Sequence, residues 1–149
     1  RNTETYAEIG DCRVIADIIP DYAGPLAGMA SAMQAAHTEY IVTAPCDSPF
    51  LAAFLVERLY AALTQQQAQL SVAGDGQRMQ PVFALIPCSL FIDLIAFLEA
   101  GERKIDLWYD RHHTAVADLS DARDSFLNIN SREDLQIVTD KLGNPNYSK

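Results

Sequence analysis

The run Tyr40-Ile41-Val42-Thr43-Ala44 constrains the fold more than any other stretch of this sequence. It is short, apolar and partly β-branched, and Pro45 ends it. Such a run reads as a strand buried on both faces, the kind found in parallel sheets covered by helices. What surrounds it should therefore be helical, and the flanking periodicities agree. Upstream, Leu26, Met29, Ala30 and Met33 recur at i, i+3, i+4 and i+7, the spacing of one buried helix stripe. Pro25 suits the first turn of that helix, which should end near His37. Downstream, Ser48-Pro49 is expected to open a second helix with Leu55, Leu59, Ala62 and Leu63 on its inner face.

The rest of the chain continues the alternation. Residues 13–16 read as a short strand with Asp17 at its carboxyl end. Residues 70–73 and 82–86 read as strands joined across the turn signal Asp75-Gly76. Residues 88–100 should be helical and stop at Gly101. Residues 104–109 form a second short helix, and 114–117 a strand. Ser131 is placed to cap a last helix, with Asp134 three positions on as the acidic half of a capping box. The expectation is an α/β fold with a doubly wound, mostly parallel sheet. In such folds ligands bind beyond the carboxyl ends of the strands, where Asp17 and Asp47 both fall.

Composition narrows the function classes. A chain of 149 residues with 49% hydrophobic content can bury a core of its own. The net charge of −9 and the lack of Lys/Arg clusters argue against nucleic acid as a partner. No apolar run approaches the roughly 18 residues that span a bilayer, which argues against a membrane. The polar start, Arg1-Asn2-Thr3-Glu4-Thr5, does not resemble a signal peptide. Cys12, Cys46 and Cys88 are widely spaced and form no CxxC pair, so zinc is not expected. Reduced thiols in a cytoplasmic protein are the simplest reading. His37, His112 and His113 fall into no recognisable catalytic spacing.

Two places can carry chemistry. Asp47, in Pro45-Cys46-Asp47-Ser48-Pro49, follows a strand and needs a partner for its charge. A helix N-cap would supply one, and so would magnesium, which takes one or two carboxylates and leaves positions for phosphate oxygens. The second place is Gly24-Pro25-Leu26-Ala27-Gly28, at a helix N-terminus. Glycines there let a flat ligand approach the backbone, and the helix dipole favours a nearby anion. A tight turn and helix packing are the alternatives.

These pieces, in order, resemble the molybdenum cofactor guanylyltransferase (MobA) family of the nucleotide-diphospho-sugar transferase-like superfamily. The resemblance rests on Gly24-Pro25-Leu26-Ala27-Gly28-Met29, Pro45-Cys46-Asp47-Ser48-Pro49 and Gln80-Pro81-Val82-Phe83-Ala84-Leu85. It continues through Gly101-Glu102-Arg103-Lys104, Trp108 and Phe126-Leu127-Asn128-Ile129-Asn130-Ser131-Arg132-Glu133-Asp134-Leu135. It implies a Rossmann-like nucleotidyltransferase domain over residues 1–142, followed by a polar tail over 143–149. The implied reaction joins GTP and molybdenum-loaded molybdopterin into the guanine dinucleotide cofactor, with release of pyrophosphate.

The same resemblance implies roles by position. Asp47 would hold Mg2+ and, with Lys104, serve catalysis. Asp17, Gly24, Pro25, Leu26, Gly28 and Asp47 would bind the nucleotide. Lys104, Asn128 and Asn130 would lie on the molybdopterin side, where a solvated charge and turn-shaping amides are the plainer alternatives. Other cofactor-assembly proteins and molybdoenzyme chaperones are the implied partners. The family also begins with a strand, a Gly-rich loop and a Lys that cradle the triphosphate. This sequence contains no counterpart, so a segment upstream of Arg1 is expected. A non-catalytic carrier of the molybdenum cofactor and a cytidylyltransferase relative are the alternative functions.

Overall fold

The computed structural model describes residues 13–19 and 24–142. Its centre is a four-stranded sheet in the order β1-β3-β2-β4. The strands are β1 (Tyr40–Thr43), β2 (Leu70–Gly74), β3 (Met79–Pro87) and β4 (Thr114–Asp118). The helices are α1 (Pro25–Ala35), α2 (Leu55–Gln65), α3 (Phe91–Glu99), α4 (Ile105–Tyr109) and α5 (Arg132–Leu142).

Each face of the sheet buries its own core. On one face, Leu26, Met29, Ala30 and Met33 of α1 pack with Leu94, Phe97 and Leu98 of α3 and Trp108 of α4 over Val72, Ala84 and Ile86. On the other, Leu55, Leu59, Ala62 and Leu63 of α2 pack over Ala73, Phe83, Leu85, Ala115 and Ala117. The chain is thus doubly wound, as the alternation of elements predicts. Burying several such side chains, at about 1.5–3 kcal/mol each, is what keeps short helices on the sheet.

The sheet differs from expectation in its directions. β2 and β4 pair in parallel, but β3 runs antiparallel to both β1 and β2. The Asp75-Gly76 turn is the cause. Asp75 Oδ1 accepts the backbone N–H groups of Gln77 and Arg78, both at 2.8 Å, and Gly76 takes a positive φ of 85°. The turn folds β3 straight back onto β2, so three of the four strands share one direction and β3 opposes them.

Three local expectations are corrected. β2, not β1, is the strand buried along its whole length. β1 pairs only with β3 among the described residues, and Val42 is 39% exposed. Apolar β-branched sequence favours a strand but does not say how many of its edges are paired. Residues 13–16 form no strand, because no described strand offers them a ladder. The second helix opens at Leu55, not at Ser48, and residues 49–50 and 53–54 form turns before it. The predicted inner face of that helix is nevertheless the one that is buried.

The last helix starts as its sequence dictates. Ser131 Oγ accepts the Asp134 N–H at 3.0 Å, and Asp134 Oδ2 accepts the Ser131 N–H at 2.9 Å. The Ser131 hydroxyl and the Asn130 and Ser131 amides hold the Asp134 carboxyl below the usual carboxylate range. Residues 1–12, 20–23 and 143–149, including the polar tail, lie outside the described residues. No described helix is long and apolar enough to cross a membrane.

Candidate active site

The site begins where α1 meets the carboxyl end of β1. Gly24, the residue before α1, has φ 76° and ψ −167°. L side chains rarely adopt this conformation, so the turn itself requires glycine there. Gly28, four residues on, has an ordinary helical backbone. A Cβ built on it would meet nothing nearer than Asp17 Oδ1, at 4.0 Å, among the described residues. The glycine therefore leaves free surface on α1, with the Asp17 carboxylate beside it. Pro25, Gly28 and Met29 of α1 line a cavity of about 300 Å³ with Val42, Thr43, Ala44 and Val82. Thr43 donates its hydroxyl to the Val82 carbonyl at 2.6 Å, which ties the end of β1 to β3 beneath this cavity.

Leu26 does not share that surface. It is fully buried in the core under α1, so its side chain serves packing and not ligand contact. Of the glycine-rich group, Gly24, Pro25 and Gly28 are the exposed members.

Asp47 lies in a turn just past β1 and is half-buried. The N-cap alternative does not hold, because the next helix begins at Leu55 with Phe54 as its N-cap. The Asp47 carboxylate has no hydrogen-bond or ion-pair partner among the described residues, whereas its backbone carbonyl accepts the Ile129 N–H at 2.9 Å. Next to it, Ser48 donates its hydroxyl to Asn128 Oδ1 at 3.0 Å. Two loops far apart in sequence are thereby stitched together. Phe126 holds the second loop on the sheet through an edge-to-face contact with Phe83, with centroids 5.0 Å apart. Asn128 lines a small cavity of about 130 Å³ with Pro45, Gln80, Pro81 and Phe126. The Asn130 N–H is held by Asp134 Oδ2 at 3.0 Å.

Lys104 stands immediately before α4 and is exposed. No hydrogen bond or ion pair engages its ammonium among the described residues, and none joins it to Asp47 or Asn128. Its neighbour Arg103 is committed to the backbone, donating to the Leu98 and Glu102 carbonyls, both at 2.6 Å. Of the adjacent pair of cations, Lys104 is the one left available. The structure thus joins Asp17 with Gly28, and Asp47 with Asn128, and records no contact from Lys104 to either group.

Among the described residues, no group of three or more His, Cys, Asp or Glu could hold a metal by itself. A divalent ion bound by one carboxylate and completed by phosphate and water is compatible with an Asp47 that has no partner among the described residues.

Three residues outside the sequence candidates, Ser31, Asp93 and Tyr109, support the elements around the site. Ser31 is buried within the apolar stripe of α1, and its hydroxyl accepts the Ile18 N–H at 3.0 Å. A polar residue inside that stripe is the signal that could have marked it. Asp93 accepts from Trp108 Nε1 at 2.8 Å and from Arg111 at 3.1 Å, and His112 Nε2 lies 3.1 Å away. This ties α4 and the turn after it to α3. Tyr109 adds a second tie by donating its hydroxyl to the Pro81 carbonyl at 2.7 Å, and burial holds that phenol well above its ordinary pKa. No sequence spacing announces these contacts.

The MobA-like NTP transferase domain family matches residues 1–115. The molybdenum cofactor guanylyltransferase of Shewanella halifaxensis is 46% identical over 97% of this chain and 72% of its own length. That of Shewanella sp. strain MR-4 is 47% identical over 95% of this chain and 72% of its own. A molybdopterin-guanine dinucleotide biosynthesis protein A from Archaeoglobus fulgidus superposes with a TM-score of 0.73 at 22% identity, covering 93% of this chain and 72% of that one. The structural likeness establishes the fold, and the sequence matches establish the kinship: the chain belongs to the molybdenum cofactor guanylyltransferase family of MobA-like NTP transferases.

Proposed function

We propose that this chain transfers GMP from GTP to molybdenum-molybdopterin, as a nucleotidyltransferase of that family. A terminal phosphate oxygen of the pterin attacks the α-phosphorus of GTP. The bond to the β-phosphate oxygen breaks, and pyrophosphate leaves. Both reactants are anionic, so the protein's main tasks are positioning and charge neutralisation.

The nucleotide side is built from Gly24, Pro25 and Gly28 with Asp17 beside them. The pterin side is built from Asn128 and Asn130, with Lys104 as a cation for the pterin phosphate. Asp47 would hold Mg2+. That ion, when bound, neutralises phosphate charge and fixes the phosphate's orientation. The free thiols of Cys46 and Cys88 support a cytoplasmic setting, and cofactor-assembly proteins and molybdoenzyme chaperones are the proposed partners.

The observation that carries the reading is the state of Asp47. Among the described residues its carboxylate is unpaired at the end of a strand, while its carbonyl and its neighbour Ser48 are bonded to the loop that bears Asn128. A charge placed where two substrate loops meet and left without a partner among the described residues suits a metal–phosphate complex. The test is Asp47→Ala, assayed for pyrophosphate release with GTP, magnesium and the loaded pterin. Turnover should fall by at least about 10²–10³-fold, with the thermal midpoint unchanged. Turnover near that of the parent chain would remove Asp47 from the mechanism.

A further inference from the structure

We infer that Ser31 is a positioning residue for the nucleotide, acting through Asp17; this rests on the reading of Asp17 and Gly28 as nucleotide contacts. Asp17 sits on residues 13–19, which belong to no sheet and no helix. Among the described residues, one hydrogen bond ties that segment to the rest of the fold: the Ile18 N–H donates to Ser31 Oγ at 3.0 Å. Ile19 adds packing against the core under α1. The residue next to Asp17 is therefore pinned at a single polar point.

Ser31 suits that task. Its side chain is 3% exposed and fixed in orientation, because the hydroxyl donates to the Ala27 carbonyl one turn back, at 2.8 Å. Donating there leaves its lone pairs for one incoming N–H. Ser31 also follows Gly28 by three positions, so the two share one side of α1. The same helix side thus offers the bare backbone at Gly28 and the anchor that holds the Asp17 carboxylate 4.0 Å from where a Gly28 Cβ would stand. Without the hydroxyl, Ile18 loses its only described polar anchor, and Asp17 is free to leave the surface that it shares with Gly28. A carboxylate at that surface matches the adjacent N1–H and N2–H donors on guanine's edge, which adenine and cytosine do not present together. Displacing it should weaken the hold on GTP and narrow the preference over CTP.

The experiment is a double-mutant cycle of Ser31→Ala and Asp17→Asn in the full chain, read as KM and kcat for GTP and CTP with magnesium and the loaded pterin. Ser31→Ala should raise the KM for GTP about 5–10-fold, within the range for losing one neutral hydrogen bond. It should leave kcat within about twofold and lower the GTP-to-CTP preference. In the Asp17→Asn background the same change should raise KM by less than about twofold, because the two act as one unit. An unaltered KM in Ser31→Ala, or an equal rise in both backgrounds, overturns the inference and leaves the Asp17 reading standing. If Asp17→Asn alone does not move KM, the reading of Asp17 is wrong and the inference falls with it. Should Ser31→Ala fail to fold, Ser31→Cys keeps the volume with a weak acceptor, and the same cycle applies.

Discussion

Replacing Gly28 with alanine should separate what the fold needs from what the ligand needs. Gly28 is the fourth residue of α1 and has helical backbone, so glycine there costs the helix about 0.8–1 kcal/mol relative to alanine. The new methyl would find Asp17 Oδ1 at 4.0 Å and no closer described atom, an ordinary contact with no clash to repay. The net expectation is a gain of about 0.5–1 kcal/mol, which for a domain of this size raises the thermal midpoint by roughly 1–4 °C. The same methyl stands on the surface assigned to GTP. Crowding a fitted ligand by one carbon costs about 1–3 kcal/mol, or roughly 5–150-fold in affinity. The assays are thermal unfolding by circular dichroism and titration calorimetry with GTP and magnesium. A variant that is more stable and still binds GTP like the parent would show that nothing docks against Gly28. A variant that loses stability would show that the space is filled by the protein itself.

Other substitutions probe the supports of the site. Asp93→Ala leaves the fully buried Trp108 indole N–H without its acceptor and should cost about 1–3 kcal/mol in urea unfolding, with Asp93→Asn milder because it keeps an acceptor. An unchanged urea midpoint would mean that the contact between α3 and α4 contributes nothing. The backbone amides of Arg78 and Gln77 hold the Asp75 carboxyl below the usual carboxylate range. Its contribution to the hairpin is therefore complete above the ordinary carboxylate pKa and is lost as pH falls through the lower folded-state value. An NMR titration of the Asp75 carboxyl carbon with a midpoint at or above the ordinary value would contradict this.

Sequence reveals elements better than their arrangement, for reasons visible at individual residues. The stripe of α1, the inner face of α2, the Asp75-Gly76 hairpin and the Ser131–Asp134 box all rest on contacts within a few positions, and these are legible. The edge position of β1 and the reversal of β3 depend on which strands pair, and a β-branched run does not encode its neighbours. The start of α2 is misplaced because a Ser-Pro pair can open a turn as readily as a helix. At the site, Asp47 is legible as a charge needing a partner. Leu26 is not separable from its neighbours until the helix is built and its side chain points into the core. The Ser31 tether to Ile18 spans 13 positions and the Asp93 contact with Trp108 spans 15, with no periodicity to reveal either.

The stitch between the Asp47 and Asn128 loops also bears on the order in which the protein forms. Ser48 and Asn128 are separated by 80 positions, so their bond closes one of the longest loops in the chain. Such a contact is unrewarding until β2, β3 and β4 have already brought its ends together. A hydrogen-exchange experiment would then find the Ile129 amide opening at lower free energy than the amides of β2, with the sheet still intact. The two substrate loops would meet late in folding and part early in unfolding, so a partly folded chain would not present the assembled site.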